Sequence, residues 1–126
     1  MATAPNFAAT PRWSAVSIAT ADTSRTAPTN VGTVFAAGAI GSRIDEVTIT
    51  AAGTSTANVV RLFLHTGSTY TLLQEILTTA ITAGAAQDSY TTTITFNSLV
   101  LPSGASLRAT THASETYHVS AFGGDF

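Results

Sequence analysis

Apolar residues in this chain recur at every second position from end to end, and no stretch of helical length keeps a 3.6-residue period free of Gly or β-branched interruptions. A period of two sends alternate side chains to opposite faces, so the chain is committed to strands. In Asn58–His65, Val60, Leu62 and Leu64 share one face, and Val59, Arg61, Phe63 and His65 share the other. Thr66, Gly67 and Ser68 then turn the chain, and Tyr70–Leu77 returns with Tyr70, Leu72 and Ile76 set against Thr71, Leu73, Glu75 and Leu77. Both faces of this hairpin are partly apolar, which places it centrally in a sandwich or under a partner subunit.

The same pattern predicts further strands at Trp13–Ala19, Thr33–Ala36, Arg43–Thr50, Ser89–Phe96, Ser106–Thr110 and Tyr117–Phe122. In Ser89–Phe96, Tyr90, Thr92, Ile94 and Phe96 point inward and the intervening Ser and Thr residues point outward. Ile44 is out of phase with Val47 and Ile49, and a β-bulge near Asp45 and Glu46 restores the register. The Pro102, Ser103, Gly104 corner supplies turn chemistry between two apolar runs. About eight or nine short antiparallel strands at near-regular spacing are the signature of a single all-β domain, a β-sandwich of jelly-roll type. The polar linkers Thr20–Asn30, Thr78–Asp88 and Thr111–Thr116 are too short to divide the chain. Residues 1–12, broken by Pro5 and Pro11, read as an extended amino-terminal arm, and 13–126 as the sandwich.

Charge is scarce: 10% of the residues are Asp, Glu, Lys or Arg, against about 25% in an ordinary domain. All five basic residues are Arg, the net charge is −2, and no basic cluster exists, which sets aside nucleic acid and membrane surfaces as partners. Thr, Ser and Ala stand where Lys and Glu are usual, giving a polar, uncharged exterior that resists association weakly. Such a surface suits a chain packed among neighbours. No cysteine is present, so neither disulfides nor thiolate metal sites enter. The amino terminus lacks the charged and apolar regions of a signal peptide, so synthesis and folding in the host cytoplasm are expected.

No motif carries chemistry. His112 and His118 with Glu115 between them do not match a zinc spacing, and no cofactor or metal is expected. Asp45 and Glu46 are adjacent, so a regular strand separates them, and a salt bridge of Arg43 with this pair is the plainer reading. No Gly-x-Ser-x-Gly elbow accompanies the Ser, His and Asp residues, and the glycines of VFAAGAIGS lack a P-loop lysine. The chain therefore reads as a non-enzyme. Arg61 and Arg108 sit mid-strand among apolar residues, a placement that suits bidentate pairing across a subunit interface.

At Asn6, Phe7, Ala9, Thr10, Pro11 and Arg12, at GTVFAAGAIGSRID (Gly32–Asp45), at VRLFLH (Val60–His65) and at LVLPSGASLRATTHASETYHVSAFGGDF (Leu99–Phe126), the chain resembles a family of small tailed-phage virion proteins encoded among head genes. The resemblance implies a capsid decoration or cement protein, a β-rich homotrimer seated on the major capsid protein at the shell exterior. It also implies a virion location. On that reading the arm adds a strand to a capsid subunit, Phe7 and Trp13 anchor it, and the AFGGDF ending docks through Phe122 and Phe126. The alternative is a tail or fibre adhesin that stacks host glycan on Tyr70, Tyr90 and Tyr117.

Overall fold

Among the described residues eight strands follow one another: β1 (Thr10–Ile18), β2 (Gly32–Ala36), β3 (Ser42–Ala51), β4 (Asn58–Thr66), β5 (Thr69–Thr78), β6 (Thr91–Leu101), β7 (Ala105–Thr111) and β8 (Tyr117–Asp125). They pair antiparallel in nested fashion, β1 with β8, β2 with β7, β3 with β6 and β4 with β5. Wrapping four nested pairs gives two four-stranded sheets, β1-β8-β3-β6 (sheet A) and β2-β7-β4-β5 (sheet B). This is a jelly roll. The structure is a computed structural model and describes Thr10–Phe126. Phe7 and the rest of Met1–Ala9 lie outside the described residues.

The core lies between the sheets, where alternation put it. Ile44, Val47, Ile49, Val119 and Ala121 from sheet A meet Val34, Val60, Leu62, Leu107 and Ala109 from sheet B, all without exposed surface. Each large aliphatic side chain so buried contributes roughly 1.5–3 kcal/mol relative to exposure. The bulge expected near Asp45 is present: the register of β3 shifts between Ile44 and Glu46 against both β6 and β8. At the Pro102 corner Ala105 N–H donates to the Pro102 carbonyl at 3.0 Å, with Gly104 at a φ of 86°. Only glycine reaches that conformation without strain.

Three expectations change. Thr10–Arg12, expected in the arm, belong to β1, where they pair with Asp125, Gly124 and Gly123; Pro11 is tolerated because β1 is an edge strand. The AFGGDF ending is not a free tail: as far as Asp125 it is the carboxyl-terminal part of β8, paired on one side with β1 and on the other with β3. Its glycines explain the fit, since a Cβ on Gly123 would collide with the Arg43 carbonyl. In β5 a second register shift, at Leu62 and Phe63 of β4, leaves Leu73 as an extra residue. Tyr70 and Leu72 therefore stand opposite His65 and Phe63 on the outer face, while Leu73 and Ile76 pack on the core.

The second apolar face of β4 is also accounted for. β4 is internal to sheet B, and the β1–β2 connection reaches Arg61 on its outer face, Arg61 Nη1 donating to the Asp22 carbonyl at 3.4 Å. The cover belongs to the same chain.

Candidate functional site

The outer face of sheet A is open across all four strands. Register places Ser17, His118, Thr50 and Thr91 in one row across the four strands, and Ala15, Ser120, Thr48 and Thr93 in the next. The third row runs Trp13, Phe122, Glu46, Thr95. Of these positions only Glu46 carries a formal charge. Thr48 and Thr93 hydroxyls lie 3.1 Å apart and those of Thr50 and Thr91 3.0 Å, so cross-strand pairs order the face. At one corner Trp13 is 68% exposed beside Phe122 at 38%, over a shallow hollow lined by Pro11, Arg12 and Gly123.

A half-buried polar knot fixes that corner. Arg12 Nε donates to Asp125 Oδ1 at 3.1 Å, its Nη2 lies 3.0 Å from the same oxygen as an ion pair and donates to the Ala36 carbonyl, and the guanidinium lies 3.9 Å over the Phe35 ring. Ser42 Oγ donates to the same Asp125 oxygen at 2.6 Å and accepts from Gly38 N–H at 2.8 Å. The Ser42 hydroxyl, opposed by burial and aided by Arg12, holds the Asp125 carboxyl below its ordinary range. Trp13 and Phe122 therefore project from a braced backbone.

On the outer face of sheet B a second cluster forms around Arg61, while Leu77 on the same face is 76% exposed. Arg61 is fully buried; its Nε donates to Glu75 Oε2 at 2.8 Å, its Nη1 reaches the Asp22 carbonyl at 3.4 Å, and its Nη2 donates to His112 Nδ1 at 3.1 Å. Arg25 shares Glu75 at 2.9 Å. Burial would raise the Glu75 carboxyl, yet the hydrogen bonds and charges of Arg25 and Arg61 prevail and lower it. Asp22 gathers the connection around itself: its carboxylate accepts N–H bonds from Ser24, Thr29 and Asn30 at 3.0, 2.7 and 2.8 Å. Burial alone would raise it, but those bonds leave it lowered.

The residues expected at an interface therefore part company. Arg61 leaves that set, because its carboxylate partner is Glu75 of its own chain and it presents no surface to a neighbour. Arg108 is half-buried, donating to Ser106 Oγ at 3.0 Å and Tyr70 Oη at 3.1 Å. Trp13 and Phe122 stand opposite each other in register, whereas Phe126 is held by its backbone N–H to the Gly41 carbonyl at 3.1 Å. Phe7 is outside the described residues.

The other candidates stay apart. His112 faces Arg61, Glu115 binds Thr56, Asn58 and Tyr117, and His118 lies exposed on sheet A. Among the described residues no three His, Cys, Asp or Glu side chains are grouped to hold a metal. Asp45 pairs with Arg43 at 2.8 Å, while Glu46 stands on the Trp13 row. Tyr117 is buried in the core, Tyr90 Oη donates to the Leu77 carbonyl, and Tyr70 packs edge-on to Phe63, so the three tyrosines form no common sugar platform.

Two structural centres escaped the sequence reading. Asp22 is one, signalled faintly by the Asp-Thr-Ser order of an Asx turn. Asn58 is the other: its Nδ2 donates to Thr111 and Glu115, and its Oδ1 accepts from Val59 and Ala113 N–H. No protein-family model, curated protein or solved structure matches the chain.

Proposed function

We propose that this chain is a virion structural protein of a tailed phage, a decoration protein that binds the major capsid protein at the shell exterior as an oligomer, in the form of a homotrimer. The observation that carries the reading is the outer face of sheet A. It is broad, nearly uncharged and ordered by cross-strand hydroxyl pairs, and it ends in the exposed Trp13 and Phe122. Exposed apolar groups on a braced strand pair are the kind of anchor that dominates binding energy, and the surrounding Thr and Ser add contact area without the desolvation cost of charges.

The resemblance of the Gly32–Asp45 and Leu99–Phe126 segments to virion proteins points the same way, and jelly rolls are a common architecture of viral shells. Binding to the assembled lattice and not to free subunits stabilises the shell by mass action. Electron-microscopic reconstruction of virions that carry the protein is the test. Regular jelly-roll density on the head exterior is expected; density confined to the tail, or none on the head, overturns the proposal.

A further inference from the structure

The jelly roll has four strand edges, and three of them are guarded against pairing with another chain. β1 carries Pro11 and Arg12, β2 is five residues long with a register shift at Val34, and β5 carries Glu75 and the bulge at Leu73. β6 is irregular only at 96–98, where three residues answer Asp45 of β3, and its Thr91–Thr95 part has no such guard. Its eleven residues, TTTITFNSLVL, contain neither charge nor proline, and the uncharged run extends from Ser89 to Leu107. Thr91–Thr95 pair regularly with β3 on one side, and no strand pairs with β6 on the other among the described residues. The apolar side chains nearest this edge, Tyr90, Ile94 and Phe96, are only partly covered.

We infer that the β6 edge is a self-association surface whose occupant is β6 of a second copy of this chain, paired antiparallel about a two-fold axis at Thr93. Three features favour a second copy over a foreign strand. The first is charge: an uncharged strand meets its own image without the like-charge repulsion that ordinarily prevents self-pairing. The second is self-complementary order. With Thr93 opposite itself, Thr91 faces Thr95 of the other copy and extends the hydroxyl pairs that already join β3 to β6. On the inner face Tyr90 meets Phe96 and Thr92 meets Ile94, so the half-covered aromatics of each copy close over those of the other. The third is geometry: a two-fold axis normal to the sheet keeps both outer faces on one side, giving an eight-stranded sheet with a doubled Thr face and a Trp13 at each end.

This inference does not rest on the decoration reading. The contact joins copies in pairs; alone it gives two chains, and with a three-fold contact elsewhere it gives six. Solution mass by light scattering is measured for the full chain and for Thr93→Lys, an exposed substitution that sets two cations against each other at the axis. An even-numbered assembly is expected, with the substitution halving its mass. A monomer, a simple trimer, or an assembly unchanged by Thr93→Lys overturns the inference while leaving capsid binding to be judged separately. Thr93→Cys guards against misfolding of the lysine variant, since the natural chain has no other thiol. Mild oxidation should link Thr93→Cys chains covalently and leave Thr48→Cys chains, one strand further in, unlinked. Equal linking of both, or of neither, counts against the pairing.

Discussion

Asp22 sits in the middle of a connection whose own sequence is polar and unremarkable in hydropathy, yet its carboxylate satisfies three backbone N–H groups that the turn would otherwise strand. A buried donor left unpaired costs about 1–3 kcal/mol. Asp22→Ala should therefore destabilise the protein by about 3 kcal/mol in urea unfolding, with the Ser24, Thr29 and Asn30 amides losing protection from hydrogen exchange. A change within about 0.5 kcal/mol, the range of ordinary surface substitutions, would show that the connection is held by other contacts. At this scale much of the site was illegible. Arg61 looked like an interface residue because the groups that enclose it, Asp22, Glu75 and His112, lie in three separate segments, and no local pattern reveals which loop will cross a strand. Trp13 and Phe122 were readable as anchors, though not that they face each other, which depends on the β1–β8 register.

At the scale of elements, the two bulges show what alternation can and cannot disclose. Around Asp45 the phase break is visible, since Ile44 and Val47 are both core residues three positions apart. Around Leu73 it is hidden, because Leu72 and Leu73 are both leucine and either phase reads as apolar. The carboxyl-terminal strand was cut short at Phe122 for a similar reason: Gly123 and Gly124 offer no side-chain pattern, although it is their lack of a Cβ that lets β8 pass beside Arg43. Gly123→Ala should cost about 3 kcal/mol, at the upper end of overpacking penalties, and lower the yield of folded protein. Gly53→Ala, whose added Cβ meets nothing within 4 Å, is the control and should leave the melting temperature within a degree or two. Equal effects of the two would remove the close approach as the reason for the glycine.

For the molecule as a whole, the paucity of charge concentrates its pH response in a few groups. The carboxyls of Asp22, Glu75, Glu115 and Asp125 all titrate below their ordinary values in the folded chain. The unfolded chain then binds more protons near pH 4, so their contribution is complete above about pH 5 and is lost as pH falls through the folded values. His65, lowered by burial and by the charge of Arg108, adds a shallower loss that begins as pH drops below about 6.5, where the unfolded histidine takes up its proton first. Thermal melts across pH 3–8 should show both stages, and His65→Gln should abolish the upper one alone; a profile flat down to pH 4 in the natural chain would contradict the assignment.

The whole-molecule claim is that this jelly roll works through the open face of sheet A. The most direct measurement is a binding titration of purified chain against phage heads lacking it, with free tails as the second target. Saturable binding to heads is expected, with Trp13→Ala combined with Phe122→Ala weakening it by about tenfold or more while the protein stays folded. Binding to tails in place of heads, or a double substitution that leaves head affinity unchanged, would contradict the claim.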